Sequence, residues 1–388
     1  MSSFLNQDAI DALAFFAQWL DFTRDALNII APRCPLFPYY TNDSGIRVAK
    51  TRPWLDPDGP VGMLLHYTGG PNGIASMRWS NENQDNRGSS WHITILDHRI
   101  KELKELTQDY PLVAKFLPVT ALLHADIHKG TRHGNWTNNR TIGVEHRNLG
   151  MLSGAARGRP YRRSGRRKYY TRQDKIPIYI RNRYWEPYTK DQLVCTINIG
   201  KMLRRWRGCK FDPCWVLGHS AVWGSKMDPG IAYPTELIRD AIFSDVPAER
   251  IPWLMSYDCS MTLPLTELVE ELDTTILDTD RDQDYAVFEK IYEPLDPLDF
   301  DESKGKSWRN HLREIRANLR VLGYCILPND YVEDVNAVEK ELYTATNIFQ
   351  YSTHDPKYKG NKLKVDSIPG LQTRAELIYR LKQFGYNV

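Results

Sequence analysis

Long hydrophobic runs are missing from this sequence of 388 residues. No window reaches the roughly 18 consecutive apolar residues that a membrane-spanning helix needs, since even residues 110–125 are interrupted by Lys115. The first residues, M-S-S-F-L-N-Q-D, also lack the basic segment, short apolar core and small-residue cleavage site of a secretory signal. The sequence therefore predicts a protein that is synthesised in the cytoplasm without a signal peptide and has no membrane span.

Cysteines are few and widely spaced, unlike the dense framework of a small secreted domain. Cys209 and Cys214 are the one close pair, and their spacing is not the C-x2-C of a metal-binding knuckle. We therefore expect reduced thiols at the six cysteines, which are Cys34, Cys195, Cys209, Cys214, Cys259 and Cys325.

The net charge of +3 is small and by itself indicates no partner, while 41% hydrophobic and 26% charged residues are typical of a globular protein. The charge is unevenly distributed, however. Residues 157–183 are rich in arginine and lysine with interleaved tyrosines, and residues 267–305 are strongly acidic. The basic stretch is either a solvated insertion or a surface for an anionic glycan, and nucleic-acid binding is the least favoured interpretation. The acidic stretch is either a linker or a partner for the basic one.

One segment, residues 218–230, combines several groups with potential chemistry and reads G-H-S-A-V-W-G-S-K-M-D-P-G. It contains His219, Lys226 and Asp228, and imidazole and carboxylate groups are both zinc ligands. His66 is the best candidate for a third ligand, because it ends the apolar run of residues 61–65, which predicts a buried strand. His124 and His128 are also four residues apart, but no H-E-x-x-H motif joins them.

Three separated motifs point to one family: L-L-H-Y-T-G-G at 64–70, T-I-G-V-E at 141–145, and the segment at 218–230. Together they resemble the zinc-dependent N-acetylmuramoyl-L-alanine amidases of the phage-lysozyme and peptidoglycan-recognition type. The resemblance implies an α/β fold over residues 46–245, with a mixed central sheet flanked by helices. It also implies Zn²⁺ as the cofactor and peptidoglycan as the substrate.

The same resemblance assigns roles to individual residues. His66, His219 and Asp228 would be the zinc ligands, Glu145 the general base and then acid, and Lys226 the group that stabilises the oxyanion. Substrate-binding or supporting roles would fall to Trp91, His92 and Asn139. Some members have a tyrosine where this chain has Trp91, so no phenol can assist at that position.

The remaining segments are predicted to be helices and a linker. Residues 1–45 read as an N-terminal helical extension, with an amphipathic pattern over 8–30, and residues 246–306 as an acidic linker. L-G-Y at 322–324, F-Q at 349–350 and L-Q-T-R-A-E-L at 371–377 resemble the three-helix peptidoglycan-binding module that is often fused to such amidases. We therefore expect a small all-α domain at 307–388.

The predicted function is hydrolysis of the amide between N-acetylmuramic acid and L-alanine by zinc-activated water, as in endolysins. Two alternatives remain: a peptidoglycan-binding protein without catalysis, and a wall-boring component of a phage particle or injection machine. Without a signal peptide, the protein would meet the cell wall after lysis, injection or delivery by a particle.

Overall fold

The structure is a computed structural model, and it describes part of the chain. The described residues are 36–38, 51–82, 89–97, 121–125, 127–152, 160–163, 166–169, 175, 177–180, 183–257, 312, 315–316, 318–325 and 335–386. The predicted helix at 8–30 and residues 258–306 of the predicted acidic linker lie outside them.

A six-stranded sheet forms the centre of the fold, with strand order β1-β4-β3-β5-β2-β11. Its strands are β1 (Leu36–Pro38), β2 (Gly62–Tyr67), β3 (Ile93–Ile95), β4 (Ala121–Leu123), β5 (Thr141–His146) and β11 (Val216–Gly218). The pairing of β3 with β4 is antiparallel and every other pairing is parallel. The mixed sheet flanked by helices that the sequence predicts is therefore confirmed.

Two smaller sheets contain the other strands. A three-stranded sheet has the order β6-β10-β9, from β6 (Met151–Leu152), β9 (Ile178–Ile180) and β10 (Arg183–Trp185). Part of the basic stretch forms a hairpin of β7 (Pro160–Arg163) and β8 (Arg166–Tyr169). Whether this hairpin meets an anionic glycan stays a prediction.

The described helices are α1 (Gly73–Glu82), α2 (Lys190–Arg207), α3 (His219–Val222), α4 (Thr235–Phe243), α5 (Pro252–Ser256), α6 (Val335–Ser352) and α7 (Leu371–Gln383). Helix α2 begins with a capping box in which Thr189 and Gln192 satisfy each other's backbone N–H groups. It ends at Gly208, whose φ of 57° is a conformation that favours glycine. None of the described helices is long and apolar enough to cross a membrane.

One large apolar core packs α2 and α4 against the central sheet. It includes Ile142 and Val144 of β5, Leu193 and Ile197 of α2, and Ile242 of α4. Gly200 allows the close approach of α2 and α4, because a Cβ there would lie 2.5 Å from Cγ1 of Ile242. Cys195, which also faces this core, is disulfide-bonded, so the expectation of reduced thiols was wrong at that position.

A buried ionic group stands beside this core. The Arg147 guanidinium contacts Asp97 at 3.0 Å and also contacts Glu186, and Lys175 Nζ lies 3.3 Å from Asp97 and 3.4 Å from Glu186. All four side chains are almost fully buried. Two cations and two carboxylates therefore balance one another where an unpaired charge would be costly.

The described C-terminal residues are largely helical and share a second apolar core with the central sheet. Leu64 of β2 and Leu217 of β11 lie in one cluster with Ile315, Leu319 and Phe349. The described helices agree with the all-α structure that was predicted for residues 307–388. The domain boundary at 307 stays a prediction, but the described helices cover one face of the sheet and do not stand apart from it.

Candidate metal centre

The carboxyl ends of three parallel strands bring the predicted ligands to one edge of the sheet. His66, near the end of β2, is the register partner of Glu145, near the end of β5. Gly218, the last residue of β11, pairs with Leu65, and His219 follows it as the first residue of α3. Since side chains of directly paired residues point to the same face, His66 and Glu145 lie side by side.

His66, His219 and Asp228 form a buried cluster. The Nδ1 atoms of His66 and His219 lie 3.1 and 2.9 Å from Oδ2 of Asp228, and the two ring centroids are 4.4 Å apart. One potential ligand atom from each residue lies within 4.8 Å of the other two. Within the described part of the chain, these three residues are the group whose arrangement could hold a metal ion. The structure therefore assembles the three residues proposed as ligands.

The hydrogen bonding of the cluster is incomplete without a further group. Nε2 of His66 and Nε2 of His219 are buried and have no hydrogen-bond partner among the described residues. Buried polar atoms are normally satisfied, so a pair of purely structural histidines would not be expected to leave two of them open. The two Nδ1 atoms converge on one oxygen, Oδ2 of Asp228, and a two-imidazole, one-carboxylate set that converges in this way suits coordination of a metal ion.

The electrostatics also suit a cation. Burial, together with the nearby His219, lowers the pKa of His66 to about 4, so its ring is neutral at physiological pH, as a metal ligand must be. Burial alone would raise the pKa of Asp228, but His219 and the hydrogen bonds from both rings hold it below its usual range. In a tetrahedral zinc site with bonds of about 2.0–2.2 Å, ligand atoms stand roughly 3.3–3.6 Å apart, and the two Nδ1 atoms lie a little closer than this, 3.1 and 2.9 Å, to Oδ2 of Asp228. The donor set therefore fits zinc.

Glu145 stands next to the cluster with an open carboxylate. Its Oε2 is buried and has no hydrogen-bond partner among the described residues. Burial raises the pKa of Glu145 to about 8, the charge of Asp228 adds to the rise, and Lys226 opposes it. A carboxyl group in this state can hold or release a proton near neutral pH.

Lys226 is exposed, and its charge acts on both His66 and Glu145, lowering the pKa of each. Its backbone N–H donates to the Trp223 carbonyl at 3.0 Å, within a turn that leads to Asp228. Lys226 is therefore near enough for its charge to act at the cluster, and its role toward an oxyanion stays a prediction.

The three predicted supporting residues are placed differently. His92 is buried: Nδ1 accepts from the Gly143 N–H at 2.8 Å, so Nε2 donates to the Lys129 carbonyl at 2.8 Å. Trp91 is also buried, and its indole N–H donates to Thr94 Oγ1 at 2.6 Å. Asn139 precedes β5, at the end of that strand opposite to Glu145. None of the three is brought into the cluster, and their predicted roles remain untested.

Two supporting histidines were missed by the sequence reasoning. Nδ1 of His146 lies 2.9 Å from the backbone oxygen of His66, which can only accept, so Nδ1 carries the proton. Nε2 is then the acceptor, 2.7 Å from Thr196 Oγ1. The ring of His133 stands edge-on to the ring of His66, with centroids 5.7 Å apart. His146 directly follows Glu145 in the sequence, a signal that could have been used, but only the sheet brings it under His66.

The fold and the cluster define an α/β domain with a two-histidine, one-aspartate centre at the carboxyl edge of its sheet. Residues 57–231 match the family described as N-acetylmuramoyl-L-alanine amidase, and the chain carries a domain of this family. The matched range contains His66, Glu145, His219 and Asp228. No curated protein sequence matches the chain significantly.

Proposed function

We propose that the protein is a zinc-dependent N-acetylmuramoyl-L-alanine amidase, which hydrolyses the amide between the lactyl group of N-acetylmuramic acid and L-alanine of the stem peptide. The observation that carries the proposal is the convergence of His66, His219 and Asp228 beside Glu145. The family domain supports peptidoglycan as the substrate and an amide as the bond that is cut.

His66, His219 and Asp228 would hold zinc, which when bound polarises a carbonyl and lowers the pKa of water. Glu145 takes the proton from the attacking water and delivers it to the amide nitrogen as the bond to the carbonyl carbon breaks. A pKa raised to about 8 suits the delivery step, and the positive charge of a bound metal would favour the carboxylate needed for the first step.

Lys226 contributes a positive charge near the carbonyl oxygen, which gains negative charge as water adds to the carbon. Because Lys226 is exposed, solvent screens its charge until substrate covers the site. We therefore expect its effect to appear mainly in the bound complex, as a lower kcat when the charge is removed.

A direct test incubates the full chain with purified peptidoglycan and identifies the products by mass spectrometry. The proposal predicts stem peptides with a free L-alanine amine together with glycan strands of unchanged length. A chelator should abolish both products and added zinc should restore them. Wall binding without any cleavage would instead support the alternative of a peptidoglycan-binding protein, and cleaved glycan would contradict the proposed bond.

A further inference from the structure

The segment that supplies two of the three proposed ligands is held by residues of the C-terminal region, in helices α6 and α7 and in the loops beside the helices. We call residues 218–230, from Gly218 to Gly230, the ligand loop. Its residues Ser220, Ala221, Gly224 and Ser225 each make a hydrogen bond to a residue beyond 320. These four positions lie between His219 and Asp228, so the bonds act on the part of the chain that joins the two ligands.

Arg380 of α7 makes the contact closest to a ligand. Its Nη2 donates to the backbone oxygen of Ser220, the residue after His219. The N–H of Ser220 donates in turn to the backbone oxygen of Asp228 at 2.8 Å. Ser220, which directly follows His219, is thus bonded to Asp228 through its N–H and to Arg380 through its carbonyl oxygen.

Arg380 is a buried cation, 2% exposed. Its guanidinium carbon lies 5.1 Å from the ring centre of Tyr358 and 6.0 Å from that of Phe349, and its Nη1 donates to Ser352 Oγ at 3.3 Å. Aromatic faces and oxygen acceptors fix the direction of its rigid fork. These contacts orient the guanidinium toward the ligand loop.

Asp355 anchors the middle of the loop. Its Oδ2 accepts from the backbone N–H of Ser225 at 2.8 Å, and its Oδ1 accepts from the N–H of Lys357 at 2.9 Å. Burial by itself would raise the pKa of Asp355, but the hydrogen bonds from Ser225 and Lys357 lower it below its usual value. Each carboxylate oxygen thus has a fixed partner, one of which belongs to the ligand loop.

Close backbone packing completes the attachment. The N–H of Gly224 donates to the Ser352 carbonyl at 3.1 Å. A Cβ at Gly224 would lie 2.6 Å from Tyr358 Cδ2 and 2.7 Å from the Ser352 carbonyl oxygen, closer than real side chains come. Glycine at this position therefore lets the loop and the end of α6 touch.

We propose that Arg380 and Asp355 are positioning residues for the metal centre: α7 and the loop after α6 fix the ligand loop so that His219 and Asp228 face His66. The inference rests on the proposed function for the identity of the metal, but its core is the placement of the loop. It gives the C-terminal segment a role at the active site in addition to any attachment to the wall.

The test uses the full chain, with Asp355→Ala and Arg380→Gln as the perturbing variants. Asp355→Asn retains an oxygen that can accept from Ser225, and Lys382→Gln removes an exposed cation from the same helix as Arg380. Zinc affinity is measured by competition with a chelator of known affinity. Residues that orient metal ligands typically change metal affinity by about 10- to 100-fold, so we expect a loss in this range for the first two variants and little change for the two controls.

A second readout does not depend on zinc. Hydrogen–deuterium exchange of the metal-free protein should become faster over residues 218–230 in Asp355→Ala and Arg380→Gln, while the strand amides of β2 and β5 keep their protection. Unchanged exchange in the loop, or equal acceleration over the whole domain, would overturn the positioning role. If the wild-type chain bound no zinc, the proposed function would fail while the exchange data would still decide whether these residues hold the loop.

Discussion

Replacing Glu145 by glutamine separates metal binding from catalysis. Glutamine has nearly the same shape, but its amide cannot accept the proton of the attacking water. Oε2 of Glu145 has no hydrogen-bond partner among the described residues, so the substitution removes no described bond at that atom. Glu145 is also not one of the three clustered ligands. We therefore expect folding and zinc content to stay near those of the wild type.

The expected loss lies in turnover. A positioned acid–base group contributes roughly 100- to 10,000-fold, which corresponds to about 2.7–5.4 kcal/mol in the activation free energy. The assay measures kcat and KM on a soluble muropeptide, with zinc quantified in the same preparation. The loss should appear in kcat, since Glu145 acts on protons in the transition state and is not required to bind the sugar or the peptide.

Glu236→Gln is a matched control, because it neutralises another partly buried glutamate, whose Oε1 accepts from Arg320 at 2.7 Å and which is not part of the cluster. It should leave kcat close to the wild-type value. If Glu145→Gln turned over substrate at a near-normal rate while zinc was bound, Glu145 would be a structural residue and the assigned acid–base role would be refuted.

Three further substitutions test the site and its support. His219→Ala should lose zinc, because the two remaining ligands rarely suffice for a catalytic site, whereas Ser220→Ala should retain it; metal analysis of dialysed protein distinguishes them. Gly143→Ala should lower the free energy of unfolding by about 1–3 kcal/mol, because the new Cβ would lie 2.6 Å from Cγ of the buried His133 ring. Gly370→Ala is the control, since its Cβ would meet nothing within 4 Å. Chemical denaturation measures the free energy of unfolding of both variants. Lys175→Met should cost about 3–5 kcal/mol in the same assay, since it leaves two buried carboxylates facing one guanidinium, and an unchanged midpoint would contradict the importance of that ionic group.

The main sheet and the metal cluster could be predicted from the sequence because their signals are local. The apolar run before His66 indicates a buried strand, and T-I-G-V-E indicates a strand that ends near Glu145. The ligand set itself was predicted from the resemblance of three motifs to one family. The parallel pairing of β2, β5 and β11 then accounts for their convergence, since carboxyl ends of parallel strands meet at one edge.

The predicted supporting role of Asn139 stays a prediction. The direction of β5, which a local pattern does not give, places residues before Thr141 at the end of the strand away from Glu145. His146 was missed because its hydrogen bond to the His66 carbonyl depends on the pairing of β2 with β5. No single stretch of the sequence indicates that pairing.

The relation between the C-terminal helices and the sheet could not be predicted either. Helical spacing in residues 335–352 and 371–383 indicates which positions are apolar, but not what they cover. Leu64 and Leu217 read as ordinary strand residues, yet both belong to the apolar cluster of the C-terminal helices. The hydrogen bond that Arg380 donates to the ligand loop spans 160 residues, and the one that Asp355 accepts from it spans 130. At such separations, sequence patterns indicate no contact.

The central claim, that His66, His219 and Asp228 hold catalytic zinc, is tested most directly by anomalous diffraction at the zinc absorption edge on crystals of the full chain. The account predicts one strong peak within about 2.0–2.2 Å of a nitrogen of each histidine and of an Asp228 oxygen, and its loss in His219→Ala crystals. A zinc-saturated crystal with no peak between these three residues, or with a peak that persists in His219→Ala, would contradict it.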